Sequence, residues 1–277
     1  MKRKLQLLTG IGCLCLCFLS CSQPPYKNPA LSPEERANDL VGRLTLEEKA
    51  ALMQNTSPAI PRLGIKAYDW WNEALHGVGR AGLATVFPQA IGMGASFNNE
   101  LLYDVFTAVS DEARAKNTEF SKEGGLKRYQ GLTMWTPNIN IFRDPRWGRV
   151  SEGNGEDPFL GGAIAKAMVS GYQGVDLNNQ LKRNDEIMAC VKHFALYGAG
   201  EAGRDYNTVD MSRNRMFNEY LYPYQAAVEA GVGSVMASFN EIDGVPATAN
   251  KWLMTDVLRK QLSLIHISEP TRLLSIS

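Results

Sequence analysis

Cysteine is scarce where a fold could use it. Of five, Cys13, Cys15, Cys17 and Cys21 crowd the N-terminus and only Cys190 lies in the body. One body cysteine excludes a disulfide framework, and no Cys-x-x-Cys pair exists for zinc or redox work. Histidine is scarcer still: His76, His193 and His266 are too few for a histidine-rich metal site. An excess of one charge is also missing, since 29 Lys+Arg face 29 Asp+Glu. There is thus no basic field to attract nucleic acid. No Gly-x-Gly-x-x-Gly directly follows an early strand, and no P-loop motif or internal repeat occurs, which argues against the common nucleotide-binding folds. What remains is 277 residues, 44% hydrophobic and 21% charged, an ordinary globular composition.

The N-terminus reads as a targeting segment. Met1-Lys-Arg-Lys is basic, and Leu7 to Leu19 is uncharged and mostly apolar before a polar, proline-containing stretch. The run is too short to span a bilayer, so a secretory signal fits better. Phe18-Leu19-Ser20-Cys21 resembles a bacterial lipobox, in which cleavage leaves Cys21 as a lipidated first residue. An ordinary signal peptide with an incidental cysteine is the plainer alternative. The expected division is a signal peptide over 1–20, a tether over 21–31, a globular domain over 32–261 and a foreign tail over 262–277. The expected location is exported, periplasmic or outer-membrane, with membrane contact through a lipid anchor.

In the body, Ser32-Pro-Glu-Glu35 and Thr45-Leu-Glu-Glu48 carry the spacing of capping boxes at two helix starts. Short apolar runs then alternate with amphipathic stretches. Candidate strands are Ile65–Trp70, Ala84–Phe87, Leu132–Trp135, Met188–Phe194 and Ser234–Phe239. Candidate helices open at Asn98 with Leu101, Val105 and Val109 on one face, and at Asp157-Pro158 with Leu160, Ile164 and Met168 aligned. A third carries Phe217, Leu221, Tyr224 and Val228, kinked at Pro223, and Asn250 caps a last one running to about Arg259. Alternating strands and helices predict an α/β fold with a parallel sheet, a (β/α) TIM-like barrel that is incomplete, with a doubly wound open sheet as rival.

In a barrel, chemistry sits at the C-terminal ends of strands. Those positions hold Glu73, Arg143, Lys192, His193 and, on a following glycine-rich loop, Arg204. An acid, several cations and flanking tryptophans suit a polyhydroxylated ligand, the charges bonding hydroxyls and the indoles covering C–H faces. The plainer readings are that Arg143, Asp144, Arg146 and Arg149 form a structural ion-pair network and that Trp70 and Trp71 are core.

Together these segments resemble glycoside hydrolase family 3. The matching runs are Trp71-Asn-Glu-Ala-Leu-His-Gly77, Ala84-Thr-Val-Phe-Pro-Gln89, Trp135 to Arg149, Gly155-Glu-Asp-Pro158, Lys192-His-Phe194 and Ser234 to Asn240. The resemblance implies an exo-acting retaining β-glycosidase that removes terminal β-linked sugars from oligosaccharides without a cofactor or metal. It implies that Glu73, Arg143, Lys192, His193 and Arg204 grip the terminal sugar and that Met236 and Phe239 line the pocket. Glu73, where many members carry Asp, points to the β-xylosidase branch; β-glucosidase and a non-catalytic oligosaccharide-binding lipoprotein are the alternatives. No catalytic residue can be assigned. The family nucleophile is an Asp shortly after the last helix, and the sequence has no Asp beyond Asp256. The isolated chain is therefore expected to be inactive. The stretch after Gln261, including His266 and Glu269, reads either as foreign sequence joined to a truncated gene or as a divergent natural C-terminus.

Overall fold

The computed structural model describes residues 23–122, 126–176, 182–183 and 186–262. The expected signal peptide, the lipidation site Cys21 and residues 263–277 lie outside the described residues. The chain divides into two units, residues 1–49 and 50–277.

In the first unit, α1 (Pro33–Arg43) starts at a complete capping box. Ser32 accepts from the Glu35 N–H, and the Glu35 side chain accepts from the Ser32 N–H. Together these satisfy two of the donors that a helix start leaves unpaired. Residues expected to be a loose tether are bonded to this helix: Tyr26 N–H donates to Asp39 at 3.1 Å and Arg36 donates to Tyr26 O at 3.0 Å. The start of α2 (Leu46–Leu52) repeats the box with Thr45 and Glu48.

The second unit opens with a short antiparallel pair, β1 (Thr56–Ser57) and β2 (Tyr68–Asp69), and the short α3 (Ala90–Gly94). Then α4 (Asn99–Lys122) leads to β3 (Thr133–Met134), and α5 (Pro158–Gln173) leads to β4 (Met188–Phe194). The turn α6 (Arg213–Arg215), a π-type turn over Met216–Tyr220 and α7 (Tyr222–Glu229) lead to β5 (Ser234–Ala237). A small hairpin, β6 (Glu241–Ile242) with β7 (Val245–Pro246), and a π-type helix over Trp252–Gln261 follow. Pro223 sits in the first turn of α7, where its missing N–H costs nothing, so the expected kink is a break between two helical pieces. Asn250 caps the last helix through Leu253 N–H at 3.1 Å, as its position predicts.

The sheet is parallel, in the order β3-β4-β5. Asn72 adds a further parallel bridge on the far side of Met134. This is a mixed α/β fold with the alternation a barrel uses, but the described residues form no closed barrel. Helix α5 is the centre of the core. Its Ile164, Ala165, Met168, Val169 and Tyr172 are buried, and Tyr172 packs on Phe106 of α4 at 4.8 Å. Gly171 lets α4 and α5 approach so closely that a Cβ there would meet Tyr103 O at 2.6 Å.

Two expectations are corrected. Of the predicted α4 stripe Val109 is buried and Val105 is partly buried against the core, but Leu101 is exposed and the buried face is Leu102, Phe106, Val109, Ser110 and Ala113. Ala84–Phe87 forms no strand. Its Thr85 is held by the Glu112 carboxylate through backbone and hydroxyl at 2.9–3.1 Å, and Val86 is exposed.

Candidate active site

Four neighbouring chain segments end at the same edge. Trp135 N–H donates to Asn72 O at 2.8 Å, Lys192 N–H donates to Pro137 O at 3.0 Å, and Lys192 is in register with Met236. Glu73, Trp135, Lys192, His193 and Met236 therefore emerge together, where a parallel α/β sheet presents its chemistry. Charges of both signs meet there. Burial first, and then the Arg149 guanidinium, push the half-buried Lys192 ammonium from its ordinary 10.5 down to about 8, while Glu152, Glu73 and the Cys190 thiol pull the other way. Arg149 forks onto Glu152 at 2.6 and 2.7 Å. Burial acts to raise the Glu152 carboxyl, but Arg149 outweighs it and keeps the group ionised. Lys192, Arg149, Glu152 and Glu73 thus set cations and carboxylates side by side, offering a ligand both donors and acceptors.

His193 is buried at 1% exposure and its tautomer follows from its partners. Asn140 Oδ1 accepts from the His193 backbone N–H at 3.0 Å and from the Tyr224 hydroxyl at 3.2 Å, which fixes which end of that amide is nitrogen. Asn140 Nδ2, a donor, then meets His193 Nδ1 at 3.0 Å. Nδ1 accepts, so Nε2 carries the proton and the ring presents a neutral donor. The ring lies 4.8 Å from Tyr197 and 5.0 Å from Phe239.

Aromatic rings form two clusters. Trp71 stacks on Trp135 at 5.2 Å and 16°. Beside His193, Phe239 lies against Tyr197 and Tyr206 at 5.1 and 5.3 Å. The loop after β4 is tied to the Arg143–Arg149 loop by Trp147 Nε1, which donates to Asp205 at 3.0 Å. Leu196 and Tyr206 in that loop adopt left-handed backbone, at φ 71° and 62°, a conformation non-glycine residues keep only where surroundings enforce it.

The residues expected to bind sugar are thus brought together only in part. Glu73, Lys192, His193, Met236 and Phe239 share the site. Arg143 does not: its guanidinium pairs with Glu219 and lies over the Tyr220 ring, toward the helices. Arg204 is exposed on its loop, its backbone N–H bonded to Glu201 O. The arginine beside Lys192 is Arg149, which the sequence placed in a structural network. That network shrinks to Asp144 and Arg146, whose side chains pair at 2.6 Å and hold the Asp144 carboxyl down to about 2. A cavity of about 320 Å3 lined by Tyr68, Trp70, Leu132, Thr133, Glu186 and Met188 opens at the start of β3 and β4, away from this site.

The description "Glycosyl hydrolase family 3 N terminal domain" matches residues 37–264. The chain belongs to glycosyl hydrolase family 3. It is 42% identical over 261 residues to a xylan 1,4-beta-xylosidase of Xylanibacter ruminicola, covering 93% of this chain and 29% of that protein. It is 40% identical to beta-D-xylosidase 1 of Arabidopsis thaliana, covering 83% and 30%. Among solved structures it resembles the family 3 exo-beta-xylosidase XlnD in complex with a xylobiose aziridine probe, at TM-score 0.76, 35% identity and coverage of 88% and 32%. It also resembles a beta-glucosidase of Listeria innocua in complex with isofagomine, at TM-score 0.66, 34% identity and coverage of 84% and 36%. The chain spans about three tenths of the length of the curated family 3 relatives it matches.

Proposed function

We propose that this chain is the sugar-binding part of an exo-acting, retaining β-glycosidase, and specifically of a β-xylosidase. The observation that carries the reading is the set of Glu73, Glu152, Lys192, His193 and Arg149 at one sheet edge, beside the stacked pair Trp71 and Trp135. Such a set offers both donors and acceptors to the hydroxyls of a neutral polyol, and the indole faces suit its C–H surface. Relatives named as xylosidases support the pentose, and we propose that the longer Glu73 arm occupies space that a hexose hydroxymethyl group needs. The Listeria innocua relative supports β-glucosidase as the second reading.

Retention requires two carboxyl groups about 5–5.5 Å apart, one a nucleophile and one an acid/base. Glu73 and Glu152 are each held by a cation, and the last aspartate, Asp256, pairs with Lys260 on the final helix. We therefore assign neither catalytic role within residues 23–262, and propose that the isolated chain binds sugar without turning it over. The reading includes export and lipid anchoring through Cys21, supported by the Phe18–Cys21 motif. Calorimetry of the purified chain with xylobiose, alongside an assay on aryl β-xyloside and β-glucoside, tests both parts. Binding without hydrolysis is expected. Absence of binding overturns the sugar site, and turnover above background overturns the inactivity.

A further inference from the structure

We propose that Arg80 is the positioning residue that fixes the Glu73 carboxylate and thereby sets which sugar the site accepts; this rests on the glycosidase reading above. One oxygen of Glu73 accepts from Trp71 Nε1 at 2.8 Å, and the other is ion-paired with Arg80 Nε at 3.2 Å. Arg80 is itself held from behind. Its guanidinium donates to the Tyr129 hydroxyl at 3.2 Å and lies 5.4 Å over the same ring, whose edge meets Trp71. The backbone assembles this clamp. Gly79 N–H bonds Glu73 O at 2.7 Å, folding residue 80 back onto residue 73, and Tyr129 N–H bonds Trp71 O at 3.1 Å. Arg80 and Tyr129 both sit in left-handed backbone, at φ 59° and 68°. Two such strained residues meeting over one carboxylate mark a place where the fold maintains a geometry it would otherwise relax.

A glutamate hydrogen-bonded at one oxygen and ion-paired at the other loses its rotamer freedom, yet each oxygen keeps acceptor capacity for a sugar hydroxyl. An unclamped Glu73 would swing and fit a pentose and a hexose nearly alike. The Arg80 side chain is 61% exposed, so its removal opens no core.

The test uses Arg80→Gly, because glycine adopts the positive φ without strain and only the side chain is lost, with Arg80→Lys as the conservative variant. The first readout is the Trp71 indole N–H resonance in 15N–1H spectra, assigned with Trp71→Phe. In Arg80→Gly it is expected to move toward its position in Glu73→Ala, with the melting temperature unchanged. The second is affinity for xylobiose and cellobiose. Xylobiose binding is expected to fall about fivefold, the size of a well-placed exposed ion pair, cellobiose binding much less, and Arg80→Lys to recover part. A Trp71 resonance that stays in place, or an unchanged xylobiose-to-cellobiose ratio, overturns the assignment. Absence of xylobiose binding by the unmodified chain overturns the glycosidase reading and Arg80's selective role with it, while the Trp71 resonance still reports whether the clamp exists.

Discussion

Replacing Lys192 by methionine should make the chain more stable at neutral pH and abolish sugar binding. The ammonium is brought from 10.5 down to about 8, with burial as the larger cause and Arg149 the next. At about 1.4 kcal/mol for each pH unit between those values, the folded chain carries roughly 3 kcal/mol of penalty for keeping Lys192 charged at pH 7. Methionine matches the stem and removes the charge; the pull of Glu152 and Glu73 is already contained in the value of about 8, but Lys192 is only half-buried and water screens part of the penalty. The expected net gain is therefore smaller, about 1–2 kcal/mol. The sign with pH is definite. Because the folded pKa lies below the unfolded one, the unfolded chain binds the extra proton between pH 8 and 10.5, and wild-type stability rises across that window. Above it Lys192 is neutral in both states, and the variant should hold no advantage. Urea titrations of both proteins at pH 7 and at pH 10.5 check this, the difference between them cancelling groups they share. A variant less stable at pH 7, or an advantage that persists unchanged at the higher pH, refutes the reasoning. Loss of xylobiose affinity without loss of stability would separate the residue's binding role from a packing role.

Three further substitutions probe specificity and packing. Glu73→Asp withdraws the carboxylate by one methylene and should raise affinity for cellobiose relative to xylobiose, measured by calorimetry; an unchanged ratio would sink the steric account of pentose preference. Gly171→Ala places a methyl 2.6 Å from the Tyr103 carbonyl and 3.1 Å from the Thr107 nitrogen, both backbone, so neither neighbour can yield cheaply. It should cost about 1–3 kcal/mol in urea unfolding. The same substitution at Gly42 in α1, where nothing lies within 4 Å, should instead favour its helix by about 0.5–1 kcal/mol.

Some elements were legible because local chemistry determined them. β4 runs over the expected Met188–Phe194, and the helices beginning after Ser32, Thr45 and Asp157 start at the expected caps. Those signals need only a few neighbouring residues. The apolar run Ala84–Phe87 failed because an extended segment becomes a strand only when another segment pairs with it, and here a carboxylate of α4 took the backbone donor. The face of α4 departed in part from the expected stripe because 3.6 periodicity leaves two adjacent stripes of similar apolarity. Contact between Phe106 and Tyr172 chose between them. At the site, Lys192 and His193 were legible because strand ends fix direction. Arg80 and Tyr129 were not, since their contact joins segments 49 residues apart.

The exchange of Arg143 for Arg149 has the same origin and leads to the sharpest test of the site's electrostatics. In a non-periodic loop, spacing carries no information about facing. The turn closed by Trp147 N–H on Asp144 O at 3.1 Å sends Arg143 and Arg149 to different places. A usable signal did exist, for Glu152 stands three residues after Arg149, the separation at which a helical turn lets a guanidinium fork onto a carboxylate. If that pair governs Lys192 as argued, Arg149→Met should change the lysine in a definite direction. It removes a group that lowers the ammonium and leaves Glu152 with Lys192 as its nearest remaining cation, so the lysine pKa rises toward 10.5. In that background Lys192→Met should lose its stabilising effect and turn destabilising, because it now strands a partly buried carboxylate. A double-mutant cycle at pH 7 measures this as a coupling of about 1–3 kcal/mol between the two positions. Additive effects would mean that Arg149 and Lys192 do not share Glu152, and the electrostatics of the site would have to be redrawn.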